Sequence, residues 1–131
     1  MSKVPVQRNL FWMFFSFYGR ASRREYWWAQ LLLFALFGSA IALLNSSGVF
    51  GTPDMSGFAF LAVFAVTQIL WFLGICVAVK RVHDLGWRGG MAVFLFVPIL
   101  GIVFWLFLGF REGNPSDNAY GPAPKSREQK H

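Results

Sequence analysis

Two short stretches hold most of the side chains able to do chemistry in this chain: GRASRREYWW, residues 19–28, and KRVHDLGWRGG, residues 80–90. The first offers Arg20, Arg23, Arg24 and Glu25, and the second Lys80, Arg81, His83 and Asp84. Three chemistries are open to such a set. An imidazole near a carboxylate could move protons at an interface, with His83 oriented by Asp84 or Glu25. The guanidinium groups could hold anionic lipid headgroups or an acidic partner. Cations and acids could also bridge helices and order a bundle. Proton transfer is the weakest of the three, because adjacent helical residues point about 100° apart, so His83 and Asp84 are no ready dyad. No Ser or Cys nucleophile stands beside them. On a helix, Lys80 and Asp84 lie one turn apart and can pair, while Arg81 and His83 point elsewhere. Interhelical bridges from Glu25 to Arg81, and from Asp84 to Arg23 or Arg24, are expected.

The elements that must position these groups follow from composition. The chain has 131 residues, enough for one domain, yet 56% are hydrophobic and only 14% charged, against roughly 45–50% and 25% for soluble domains. Sixteen Phe and six Trp suit a bilayer interior and its interfaces. Three stretches carry no charge over the length a membrane helix needs, about 20 residues: 27–44, 58–79 and 91–110. The sequence thus predicts an all-α integral membrane protein with three transmembrane helices. A short interfacial helix over about 9–18, NLFWMFFSFY, precedes them, and a polar C-terminal tail follows. Residues 1–124 form the single membrane domain, and 125–131 a disordered tail.

Charge asymmetry orients the bundle. Lys3, Arg8, Arg20, Arg23 and Arg24 precede the first span, Lys80, Arg81 and Arg88 sit in the second connector, and the connector 45–57 has no Lys or Arg. The amino terminus and the KRVHD loop are therefore expected in the cytoplasm. In the third stretch Pro98 and Gly101 lie at the middle, where a helix kinks or a re-entrant hairpin turns. A kinked single span is favoured, which puts the tail outside. Ser22 with Glu25 three residues on reads as a capping box that starts the first span. Gly86 reads as a left-handed cap that ends the second, with Trp87 as an interfacial anchor. Small residues Ala35, Gly38, Ser39 and Ala42, and Gly74 with Ala78, form stripes that favour close helix packing. Gln30 and Gln68 suit interhelical hydrogen bonds, and Cys76 reads as an inert thiol buried in lipid.

FYGRASRREYWW, KRVHDLGWRGG and GNPSDNAYGPAP together resemble, in order and spacing from about Phe17 to Pro124, the signatures of the domain of unknown function 805 family, the YhaH-like bacterial inner-membrane proteins. The resemblance singles out Gly19, Arg20, Arg23, Glu25, Tyr26 and Trp27, then Arg81, His83 and Asp84, then Asn118, Tyr120, Gly121 and Pro122. Lys80 departs from it, standing where an Arg is usual. The family implies a bacterial inner-membrane location and a fold, but no activity.

The expected function is a non-enzymatic multi-pass membrane module. Its cytoplasmic rim of Arg20, Arg23, Arg24, Glu25, Arg81, His83 and Asp84 orders the bundle and binds anionic lipid, a membrane protein partner or a second copy. The tail motif Asn118, Tyr120, Gly121 and Pro122 is a separate candidate, and whether it joins the rim depends on the course of 91–110. A small transporter or channel subunit is an alternative, as is an interfacial enzyme using His83. No Cys/His cluster or glycine-rich nucleotide motif is present, so no metal, cofactor or nucleic acid is expected.

Overall fold

The computed structural model describes residues 8–51 and 56–124. These fold as α1 (Leu10–Phe15), α2 (Arg23–Ser46), a 3₁₀ turn (Val49–Gly51), α3 (Ser56–Asp84), a longer 3₁₀ helix (Gly89–Phe96) and α4 (Leu100–Phe110). Asn9 starts α1 by accepting from the Trp12 amide at 2.7 Å. Its six residues turn Trp12 and Phe14 inward and leave Leu10, Phe11 and Phe15 exposed, a helix shorter than the 9–18 expected. The capping box at α2 is formed. Ser22 Oγ accepts from the Glu25 amide at 3.2 Å, and the Glu25 carboxylate accepts from the Ser22 amide at 2.8 Å.

With 24 and 29 residues, α2 and α3 are about 36 and 43 Å long, longer than the roughly 30 Å of bilayer hydrocarbon. Their apolar windows have mean hydropathy 1.9 and 2.3, yet only 17% and 11% of them is buried. A core helix of a soluble protein is mostly covered by its own fold; here Phe34, Leu36, Phe60 and Phe64 stand in the open. Lipid is the medium that suits such surfaces.

Burial concentrates at one end. Residues 76–85 are buried without a break, and there Phe14, Tyr26, Leu33, Val82, Phe104 and Leu108 join α1, α2, α3 and α4 in one core. Cys76 is in this stretch, covered by protein and not by lipid as the sequence suggested. Gly74 and Ala78 do admit α2: a β-carbon at Gly74 would stand 3.7 Å from Leu33, and Ala78 is buried. The α2 stripe behaves differently, since Ala35, Gly38, Ser39 and Ala42 are all exposed. Gln30 is buried and Gln68 exposed, so the two do not line one path.

The third apolar stretch is not a kinked single span. It is two short helices with a reversal between them. Eight residues of 3₁₀ helix and eleven of α-helix each rise only about 16 Å, half of the hydrocarbon thickness. Both outer ends lie at the same end of the bundle. Gly89 packs on the His83 ring, while the carbonyl of Gly109 accepts from Trp27 Nε1 at 3.0 Å and that of Leu108 from Arg81 Nε at 2.7 Å. The reversal is a γ-turn of the positive-φ kind, with Ile99 at φ 65° and ψ −58° and the Leu100 amide donating to the Pro98 carbonyl at 2.7 Å. The Val97 amide donates to Phe94, and Gly101 to Val97. The tip thereby satisfies much of its own backbone.

Gly101 makes the hairpin possible, because a β-carbon there would stand 2.6 Å from the Leu95 carbonyl oxygen and 3.1 Å from its carbon. Gly101→Ala is expected to cost about 1–3 kcal/mol through overpacking against backbone. Gly38→Ala, which meets nothing within 4 Å, should stay within about 0.5 kcal/mol of wild type. Thermal unfolding midpoints of the two variants in mild detergent check the contrast; equal midpoints would mean that the hairpin does not pack this way.

The tail does not hang free over residues 112–124. It folds back onto the end of α3, held by the Asn114 amide on the Asp84 carbonyl and Asn118 Nδ2 on the His83 carbonyl; an Asn118–Gly121 bridge closes its own turn, and Ala123 and Pro124 are buried. The expected disorder of 125–131 lies outside the described residues, as does Asp54 of the first connector.

Candidate functional site

Helix α3 ends where the sequence suggests. Gly86 takes φ +79°, its amide donates to the His83 carbonyl at 3.0 Å, and the Trp87 amide donates to Val82 at 3.2 Å, the paired bonds of a Schellman motif. This termination leaves Lys80, Arg81, His83 and Asp84 in the last turn, all buried. Charged side chains are rarely so covered unless paired, and here each has its partners.

Asp84 is the centre. Its Oδ1 accepts from Arg20 Nε at 3.1 Å, its Oδ2 accepts from Arg81 Nη1, and all three side chains are fully buried. A carboxylate at a helix C-terminus is opposed by the helix dipole; two guanidinium groups more than offset that. The remaining guanidinium N–H groups go to backbone carbonyls. Arg20 donates to Ser116 at 2.7 Å, Gly121 at 3.3 Å and Asn114 at 2.6 Å. Arg81 donates to Leu108, to Ala21 at 3.2 Å and to Arg111. Lys80 donates to Met13 at 2.8 Å and to Ser16, and sits 4.9 Å from the Trp12 ring centroid.

The positions share a logic. The last carbonyls of a helix lack intrahelical donors and carry partial negative charge. Lys80 covers the end of α1, and Arg81 the end of α4. The node thus neutralises its surplus of buried cations with the ends of other helices. Arg23 helps from outside, donating to Phe110 at 3.3 Å and pairing with Glu112 at 3.1 Å.

Several expected pairings are corrected by this geometry. Asp84 takes Arg20 and Arg81, not Lys80, Arg23 or Arg24, because the loop before α2 carries Arg20 inward while Arg23 and Arg24 open the helix on its exposed side. Arg81 does not point away from Asp84, which lies three residues on, a spacing that brings helical side chains together. Glu25 does not reach Arg81. It closes the capping box and pairs with Arg8 at 3.2 Å.

His83 lies flat against Tyr120, ring centroids 3.9 Å apart and 4° from parallel. Its Nδ1 is 3.3 Å from the Gly19 carbonyl, and a β-carbon at Gly89 would stand 2.9 Å from its Nε2. Asn118 Nδ2 donates to the His83 carbonyl at 2.9 Å, while the Asn118 side-chain oxygen accepts from the Tyr120 amide at 2.9 Å. Gly121 adopts φ +129° and presents its carbonyl to Arg20; Pro122 is exposed. All three motifs therefore meet at one end. Asn114 is a member that residue types did not reveal: its amide donates to the Asp84 carbonyl at 2.8 Å and its carbonyl accepts from Arg20. Main-chain acceptors carry no signature in side-chain identity. Among the described residues no group of His, Cys, Asp and Glu is placed to hold a metal ion.

A family model described as "Protein of unknown function (DUF805)" matches residues 7–122. The chain is 33% identical over 109 residues to "Inner membrane protein YhaI" of Escherichia coli (strain K12), covering 83% of this chain and 86% of that protein. It is 28% identical over 111 residues to "Inner membrane protein YhaH" of the same organism, covering 83% and 87%. No solved structure matches.

Proposed function

The chain belongs to the DUF805 family of proteins of unknown function, and from that premise we propose that it is a non-enzymatic module of the bacterial inner membrane, where its similarity to the two E. coli proteins places it. α2 and α3 cross the bilayer from a cytoplasmic amino terminus, the hairpin 89–110 enters and leaves from the cytoplasmic side, and the buried node latches the tail to that face. The observation that carries this reading is the saturation of the node. Arg20, Arg81 and Asp84 are wholly covered and spend their polar atoms on one another and on main-chain carbonyls. Such groups order a fold; contact with lipid falls to the cations left outside. Arg23, Arg24, Arg88 and Arg111 are exposed and form a collar suited to anionic headgroups, each contributing about 1 kcal/mol near such a surface.

Sidedness tests the reading. In a Cys76→Ala background, single cysteines replace Arg24, Ser47, Arg88 and Ser116, all exposed, and intact cells are treated with an impermeant thiol reagent. The cysteine at 47 is expected to react, and those at 24, 88 and 116 to react only after the membrane is opened. Labelling at 116 together with 47 in intact cells would mean three crossings and would sink the latch.

A further inference from the structure

Because the cations at 20 and 81 are sealed, a lipid recognised by this protein binds elsewhere, and one groove has the required chemistry. Between α1 and the start of α2 lies an open cavity of about 600 Å³, lined by both elements. Its chemistry is graded along α2. Arg24, Trp28 and Leu32 recur every fourth residue and so share one stripe; all three line the groove and are exposed. Leu32 lies about 12 Å along the axis from Arg24. A cation thus stands at the polar end and an apolar wall runs from it into the depth of the bilayer, with Phe14 opposite on α1.

The polar end has a second cation. Arg8 lines the same groove, its guanidinium 5.6 Å from the Trp12 ring centroid and 3.2 Å from Glu25. Trp12 also lines it, is 8% exposed, and its Nε1–H is the buried side-chain donor that has no partner among the described residues. An indole N–H left unsatisfied in a covered site is costly. That N–H is covered and lies beside Gly19, so the polar chemistry of the groove rests on Arg8 and Arg24.

We infer that this groove is a binding site for one anionic phospholipid of the cytoplasmic leaflet. Its phosphate sits between Arg8 and Arg24, and an acyl chain lies along Trp28 and Leu32. The inference rests on the proposed topology for the leaflet, but not for the chemistry of the groove. Charge complementarity selects the occupant: Arg8 and Arg24 face a single acid, Glu25, which is already engaged with the Ser22 amide and Arg8. A detergent-like or neutral amphiphile would use the wall and leave the cations unused.

The test is native mass spectrometry of the whole protein in mild detergent, titrated with phosphatidylglycerol and, separately, zwitterionic phosphatidylethanolamine. Wild type should retain one phosphatidylglycerol in preference. Arg8→Gln and Arg24→Gln should each weaken it about fivefold and reduce the preference between headgroups. Leu32→Trp, which fills the apolar end, should weaken both lipids alike. The collar variant Arg88→Gln/Arg111→Gln, which removes two cations but none from the groove, should weaken phosphatidylglycerol retention by less than either groove variant does, and thermal midpoints report whether each variant is folded. Unchanged retention in Arg8→Gln/Arg24→Gln overturns the site, as does a loss that the collar variant shows equally. Cysteine labelling of position 24 from outside the cell would instead overturn the topology, so the two failures are told apart.

Discussion

Asp84→Ala is expected to lower the stability of the folded protein by about 3–5 kcal/mol, the range for removing one partner from a buried ion pair. The reason is what remains. Arg20 and Arg81 are both fully buried, so loss of the carboxylate leaves two guanidinium groups facing one another in a covered site, with only carbonyl dipoles to hold them. Asp84→Asn, which keeps shape and discards charge, should be nearly as damaging. Replacing all three by apolar residues should not restore stability here, because Arg20 and Arg81 also satisfy the carbonyls of Leu108, Asn114 and Ser116, and that of Leu108 would then be buried without its guanidinium donor. Thermal unfolding in mild detergent checks the series. A wild-type midpoint in both Asp84 variants would show that the node is not holding the fold.

Arg81→Lys is expected to be almost as severe, about 3 kcal/mol or more, although it conserves charge. Arg81 Nε, Nη1 and Nη2 reach three carbonyls and Asp84 in directions set by a rigid planar fork. A lysine ammonium is one compact point on a flexible stem and cannot span those positions. The carbonyls of Leu108 and Arg111, at the end of α4, would lose their donor first, so the damage should appear as release of the hairpin and tail. Limited proteolysis of the purified protein reads this directly: cleavage between residues 110 and 124 should accelerate in Arg81→Lys relative to wild type, whereas Arg88→Lys should leave it unchanged. Equal cleavage in both variants would refute a role for the guanidinium fork.

Lys80 makes a different demand on its cation. It donates to Met13 and Ser16 and covers the end of α1, a task for a point charge with several rotatable donors. Arg81 has no such freedom. The two neighbouring cations therefore play different roles, which their adjacency in sequence conceals.

What the sequence determined by itself was local or compositional. The apolar content and the two long uncharged stretches required membrane-length helices at α2 and α3, since no other medium accepts that surface. Ser22 with Glu25, and Gly86 at the end of KRVHDL, set helix ends through bonds among near neighbours, and both are formed. Arg20, Arg81, His83 and Asp84 were visible as polar chemistry at segment ends, Asn118 and Tyr120 only through the family resemblance, and they do converge. The tertiary structure alone decided the course of 91–110 and the choice of partner for Asp84. Hydropathy is the same for a helix that continues and for one that returns; the reversal rests on Gly101 fitting against the Leu95 backbone and on Trp27 and Arg81 receiving the end of α4. Likewise several cations stood within reach of Asp84 on paper, and their order along the chain could not rank them. Backbone position did, because a buried carboxylate is stabilised by the cations that are sealed in with it, and the fold seals in Arg20 and Arg81 while leaving Arg23 and Arg24 in the open.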